Sequence, residues 1–581
     1  MQNFILIKFS FIWSIILILF IHSINTKNIK YSKQNKKEKE SFTDNYYAIF
    51  INNTLSTSLP KTTKNNYNKR EEIQKEFVNS LINEIHSLIV ENVNTYDNPN
   101  KIEEMIEKDK LRKRENHQID SNIAFHLSSI NNRSVIGAYL SNDLINIIKN
   151  YQGVYDVLPN RHFEYASHSN SNSNFNYNFN FNSNSKSNSY YNKNEIIKET
   201  KWKNLAIKSN TDNHLSIISQ GKYNESIIEV YDNNYYYPSS GGENIDIFIF
   251  DSSFAFDYYE FTNNENRITK CISILSTNEI NPPQSEKRCH SMFSKEHGSI
   301  VADIAAGDKH GVAPNANVYG FVLEDEATFF SVIKELEILK NDHGSLFRKN
   351  KAVINFSFGS FFKENEYTSE IEYLYDLIQQ LNDKGAIFVV CAQNNSQPIN
   401  NKKEKEILYP CYFDNVICVG ATDNLTYDSY YNNEIIDKHP YQLTDYSNYG
   451  EGVNIYAPGF VTYEIMTQYY GLKNDTISGT SFATPIVTGV IATIMSENPN
   501  QNYNYKTMLT YLQEISLKNI VEGVEKNHSS NYFINNGKHV VYSKNKKYHG
   551  CGINAGNQKC QKNQCCTLDG LCSKNKKLCL N

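Results

Sequence analysis

Residues 245–251 read Ile-Asp-Ile-Phe-Ile-Phe-Asp, an apolar run interrupted only at Asp246 and ended by a carboxylate. β-branched and aromatic side chains suit a pleated backbone, and apolar residues at both odd and even positions predict a strand buried on both faces. Similar runs recur at Asn317–Leu323, Ala352–Phe356, Ala386–Cys391 and Val416–Val419. Helices are predicted at Ser299–Ala306, Glu326–Lys340, Tyr367–Leu381 and Ser481–Met495. Strands of this kind separated by helices predict an α/β domain over residues 200–515, with a mostly parallel central sheet flanked by helices.

That domain accounts for little more than half of a 581-residue chain. Hydrophobic residues at 40% and charged residues at 21% fit a globular protein, and a net charge of -5 gives no field that would draw nucleic acid. Near the N-terminus, Lys8 precedes an apolar run, Phe9–Ile21, that closes on His22 and Ser23. Residues 1–26 read as a signal peptide of a secreted or extracellular protein, with an uncleaved membrane anchor as the alternative.

Residues 46–160 predict a small α+β unit. Its strands are Tyr46–Asn52, Ser134–Leu140 and Gly153–Leu158, and its helices Glu71–Val90 and Asn142–Lys149, with a charged, mobile insert to about His117. Residues 167–194 are almost wholly Asn, Ser, Phe and Tyr and read as a flexible linker. Residues 521–549 read as a polar, basic spacer, and 550–581 as a compact module. That module holds six of the 11 cysteines, Cys551, Cys560, Cys565, Cys566, Cys572 and Cys579, a disulfide framework of extracellular type. The other five are Cys271, Cys289, Cys391, Cys411 and Cys418, an odd number, so at least one is free or pairs outside that set. Asn224, Asn424 and Asn474 head glycosylation sequons.

Acyl transfer needs a hydroxyl, a base, a carboxylate that orients the base and donors for the oxyanion. Ser481 lies in Gly479-Thr480-Ser481-Phe482-Ala483-Thr484-Pro485, at the start of an apolar helix where backbone N–H groups are unpaired. Asp251 ends the strand quoted above, and His297 precedes Gly298-Ser299 and another apolar helix. Each also has an ordinary local reading: helix cap, turn aspartate, packed histidine. Their joint occurrence at strand ends and helix starts of one domain makes them candidate catalytic residues.

These motifs resemble those of the subtilisin (subtilase) serine proteases, nearest the fungal proteinase K-like branch, over roughly residues 200–515. Tyr235-Tyr236-Tyr237, Gly241-Gly242 and Ile245–Asp251 resemble the segment around the catalytic Asp. His297-Gly298-Ser299 resembles the His motif, Gly311-Val312-Ala313-Pro314 the stretch beyond it, and Gly479–Pro485 the serine motif. The resemblance implies a serine endopeptidase with triad Asp251, His297 and Ser481, and an oxyanion hole of Asn394 and the Ser481 N–H. It implies substrate-binding roles for Ser357, Phe358, Gly359 and Gln393. It also implies protein or peptide substrates, a monomer, no metal or cofactor in the chemistry, and structural calcium.

The chain departs from the family pattern at Ser253 and Asp303, which stand for Gly, at Ile300, which stands for a second His, and at Gln393, which stands for the Gly beside the S1 pocket. A catalytically degenerate scaffold acting as a cell-wall or carbohydrate-binding protein is the second reading. The 46–160 unit resembles the family's inhibitory propeptide, through Ile136–Ser141 and Gly153-Val154-Tyr155. The terminal cysteines, with Gly552, Gly556 and Gly570, resemble a hevein-like chitin-binding module. Asp569, Leu571 and Leu578 stand where sugar-stacking rings are expected, and eight Lys against one Asp over 541–581 (8 - 1 = +7) suit an anionic wall surface instead.

Overall fold

The strand Asp246–Asp251 is buried at every residue and lies in the interior of the largest sheet. The computed structural model describes residues 44–52, 64–115, 121–166, 191–223, 232–276, 279–290 except 282 and 284, 296–323, 327–424 except 343, 439–467, 471–524, 529–542 and parts of 551–579. Parallel strands follow in the spatial order Thr269–Ser276, Asn317–Val322, Asp246–Asp251, Ala352–Phe356, Ala386–Cys391, Ile417–Asp423 and Ile455–Pro458. The strand first in sequence is therefore interior, with later strands added on both sides of it. This is the reversal of strand order at which open α/β sheets place their ligands.

Phe250 stacks on Phe321 at 4.7 Å and meets Phe356 edge-on at 5.2 Å, which ties three adjacent strands together. Each such buried ring contributes about 1.5–3 kcal/mol. The helices His297–Ala306 and Thr480–Glu497 pack on each other and on the sheet, as do Phe329–Asn341 and Thr368–Asp383. Phe329–Asn341 begins where Thr328 and Ser331 cap each other's backbone N–H groups, at 3.1 and 2.8 Å.

The N-terminal unit is an antiparallel sheet in the order Ala124–Ile130, Arg133–Leu140, Asn45–Asn52, Val154–Pro159. Along Asn45–Asn52 the period of two decides the packing. Tyr47, Ile49 and Ile51 face the unit's own helices, whereas Ala48 and Phe50 join the core of the large domain. Phe50 lies against Phe329 and Tyr373, and Phe125 against Phe330 at 5.9 Å. Polar contacts frame this seam: Tyr373 donates to Ser128 Oγ, Ser128 Oγ donates to Glu337, and Arg133 pairs with Asp376.

Four sequence expectations change. The insert expected to about His117 is a helix, Pro99–Glu115, because Ile102 and Ile106, one turn apart, are buried in the unit's core. The strand Ala124–Ile130 was not expected; a register shift between His126 and Ser128 breaks the alternation that would have revealed it. The described part of the 521–549 spacer is not a spacer. Tyr532–Phe533 pairs with both Ile455–Pro458 and Leu517–Lys518, and Val540 and Tyr542 form a small core with Ile196, Trp202 and Tyr236. Single apolar residues that dock separately leave no periodic trace. The linker's end is likewise ordered, as the helix Lys193–Thr200.

Disulfides join Cys271–Cys289, Cys411–Cys418, Cys551–Cys566, Cys560–Cys572 and Cys565–Cys579, leaving Cys391 buried and free. Asn424 is fully buried, and its amide donates to Asn213 and to the Phe460 carbonyl, so it offers no nitrogen to a glycan in the folded chain. The side chains of Asn224 and Asn474 lie outside the described residues, as do residues 1–26 and 167–190 of the predicted signal peptide or anchor and the linker. Among the described residues no helix is long and apolar enough to cross a membrane.

Candidate active site

Asp251 closes its strand at the reversal of strand order, and His297 opens the helix next to it. Gly298 makes their approach possible: a Cβ there would sit 2.6 Å from the Ser253 carbonyl oxygen and 2.8 Å from Asp251 Cβ. His297 Nδ1 lies 2.8 and 2.9 Å from the two Asp251 carboxylate oxygens, and Asp251 Oδ1 also accepts the Ser252 N–H at 2.7 Å. A fully buried carboxylate on Nδ1 fixes the tautomer with the proton there and leaves Nε2 as acceptor. Nε2 is buried and makes no hydrogen bond, so it is available as a base.

Ser481 is the second residue of its helix, entered through Gly479 at φ 150, a conformation that suits glycine. Ser481 Oγ donates to the Ser357 carbonyl at 3.0 Å, and Ser357 Oγ donates to the Ser481 carbonyl at 2.9 Å. The helix start is thus stapled to the strand end that precedes Phe358–Lys363. Asn394 follows the strand Ala386–Cys391, and its Oδ1 accepts from Thr480 N–H at 3.0 Å and Thr480 Oγ1 at 2.9 Å. This turns the amide Nδ2 towards the cleft.

The cleft holds the chain's own residues 161–166, which sequence reasoning assigned neither to the N-terminal unit nor to the linker. Phe163 N–H donates to the Ala327 carbonyl and Phe329 N–H to the Arg161 carbonyl. Glu164–Tyr165 then pairs antiparallel with Phe358–Lys363, through Phe358↔Tyr165 and Gly359↔Glu164. Ala166 N–H donates to the Ser357 carbonyl at 3.1 Å. The Ala166 carbonyl oxygen accepts from Asn394 Nδ2 at 2.7 Å and from Ser481 N–H at 3.3 Å. Two donors from different elements therefore converge on one peptide carbonyl, and the ring of the preceding Tyr165 lies 5.4 Å from that of His297. The only sequence signal for this segment is its position, a small residue directly before a polar low-complexity run.

Ser253 lies in the strand Ser253–Ala255, outside the positive-φ region, so the strain that replacing Gly could bring does not arise. Ile300 is buried. Asp303 is tolerated in a packed helix because burial, reinforced by Glu260, holds its carboxyl well above the usual range. Its Oδ2 accepts the Glu464 N–H at 2.8 Å. Gln393 sits at φ 66, and its amide donates to the carbonyls of Gly359 at 3.1 Å and Glu164 at 2.5 Å.

Among the described residues, Cys551, Cys560 and Cys572 are the one group of three potential metal ligands, with sulfurs within 4.8 Å of one another. Their sulfurs are taken up in disulfides, and calcium selects oxygen ligands, so this group does not fit the calcium implied by the family resemblance.

The sequence profile of the subtilase family (peptidase S8) matches residues 242–533, half of the chain, and the chain belongs to that family. It is 28% identical to alkaline protease 1 of Aspergillus clavatus over 266 residues, covering 45% of this chain and 54% of the relative. It is 30% identical to subtilisin-like protease 2 of Arthroderma otae over 269 residues, 45% of this chain and 52% of the relative. The chain thus spans about half the length of these curated relatives. A crystal structure of a cold-adapted subtilisin-like serine proteinase aligns with 56% of this chain and 99% of its own, at 21% identity and a TM-score of 0.43.

Proposed function

We propose that the chain is a secreted serine endopeptidase, made as a precursor whose residues 46–166 block its own cleft and are cut off between Ala166 and Ser167. The observation that carries this reading is the Ala166 carbonyl oxygen held by both Asn394 Nδ2 and Ser481 N–H. Ser481 Oγ turns from the Ser357 carbonyl to His297 Nε2, gives up its proton there and attacks the Ala166 carbonyl carbon. The oxyanion develops against the two donors already in place, while Asp251 holds the imidazolium. His297 returns the proton to the Ser167 nitrogen as that bond breaks, and water then hydrolyses the acyl-enzyme. Five disulfides among the described residues support an oxidising compartment.

N-terminal sequencing of the large fragment released by the purified full-length chain tests this reading. A fragment starting at Ser167 is expected. A different first residue sinks the assigned bond, and a chain that stays intact sinks self-processing.

A second reading concerns the terminal module, for which we infer attachment through charge. Lys559, Lys562, Lys574, Lys576 and Lys577 are exposed, as is Leu578 at a place expected to stack on sugar, while Asp569 and Leu571 lie outside the described residues. Exposed charges are screened within about 8 Å at physiological salt. Binding of residues 541–581 to an anionic wall polymer should therefore fade as salt rises, and chitin oligomers should bind little. Tight chitin binding that ignores salt would reject this.

A further inference from the structure

We propose that Gln393 sets substrate choice: its side chain closes the slot for the residue whose carbonyl is attacked, so that the peptidase takes chains with alanine or a similarly small residue there. This deepens the endopeptidase reading and rests on it.

The slot lies between two walls, the backbone of Ser357–Gly359 and that of Ala392–Asn394. Ala166 sits between them, its N–H on the Ser357 carbonyl and its oxygen on Asn394. Gln393 starts from one wall and its amide reaches the Gly359 carbonyl on the other. A Cβ added to Gly359 would lie 3.6 Å from Gln393 Cγ, so the side chain runs flat against that wall. Gln393 and Ala166 are both buried, at 3% and 1% relative exposure.

A longer side chain at this position must displace the Gln393 amide. The second hydrogen bond of that amide is to Glu164, two residues upstream in the bound segment. Displacement therefore loosens the substrate's own backbone as well as the wall, which turns a size limit into a penalty on binding. The backbone at 393 is left-handed, at φ 66, which glycine would adopt without strain. A strained conformation kept at a substrate contact points to a role there.

The test uses the full-length chain, as wild type and as Gln393→Gly, assayed after self-release on peptides that differ only in Ala or Phe before the cut. The wild type is expected to favour Ala by about 10²-fold in kcat/KM, and Gln393→Gly to bring that ratio near or below one. In the precursor, Ala166→Phe should block processing, and Gln393→Gly added to it should restore processing. A wild type that cuts the Phe peptide as readily as the Ala peptide overturns the inference and leaves the endopeptidase reading standing. So does an Ala-to-Phe ratio that Gln393→Gly does not move. A wild type that neither processes itself nor cuts any peptide overturns both.

Discussion

Ser481→Ala is expected to leave the precursor at full length and to lower kcat on an Ala-containing peptide by about 10⁶-fold, a magnitude known for nucleophile removal in subtilisin itself. The chemistry has no substitute for this hydroxyl. It lies at a helix start entered through Gly479, on the residue whose N–H donates to the Ala166 carbonyl, and His297 Nε2 is without a hydrogen-bond partner. The substitution removes one hydrogen bond, from Oγ to the Ser357 carbonyl, while Ser357 Oγ keeps its own bond to the backbone of residue 481. The fold is therefore expected to survive, at a cost of about 0.5–1.5 kcal/mol. An unprocessed but folded precursor, judged by an unchanged circular dichroism spectrum, is the expected result. Processing at the wild-type rate would remove Ser481 from the mechanism and favour a scaffold whose cleavage comes from another protease.

The next largest loss is expected at Asn394. Asn394→Ala should lower kcat by about 10²–10³-fold, or about 2.7–4 kcal/mol, with KM little changed. The amide already donates to the Ala166 carbonyl at 2.7 Å, and charge on that oxygen grows in the transition state. Because Asn394 Oδ1 also accepts from Thr480, the alanine variant loosens the serine helix as well as the donor. Thr480→Val separates the two effects, since it removes the side-chain contact to Asn394 and spares the amide. It should cost about tenfold or less, the scale of one neutral hydrogen bond. If Thr480→Val matches Asn394→Ala, Asn394 acts by positioning the helix and the oxyanion role is lost.

Much of this site was legible because its residues sit in short motifs with strict local demands. His297-Gly298 is readable since only glycine lets the helix lie against Asp251, and Gly479-Thr480-Ser481 since a left-handed entry precedes a buried helix. The strands of the main sheet were legible as apolar runs too dense for a half-wet surface. What escaped had no periodic signal. Residues 161–166 form an extended segment whose partners, Ala327 and Ser357–Gly359, are remote in sequence, so no local pattern announces the pairing. The helix Pro99–Glu115 is mostly charged and is held by a few buried contacts, Ile102 and Ile106 among them. Gln393 was legible as a departure from the family; its second hydrogen bond, to the bound segment, was not.

The small core of Ile196, Trp202, Tyr236, Val540 and Tyr542 brings the two ends of the large domain to one place. Glu199, from the helix that opens the domain, accepts the His539 N–H at 2.8 Å and the Val540 N–H at 3.0 Å, fastening the closing segment to it. In outline the domain is a ring closed by this clasp rather than a thread with two loose ends. A short loop joining residue 542 to residue 191 would complete the ring covalently, and new ends could be opened in an exposed turn elsewhere.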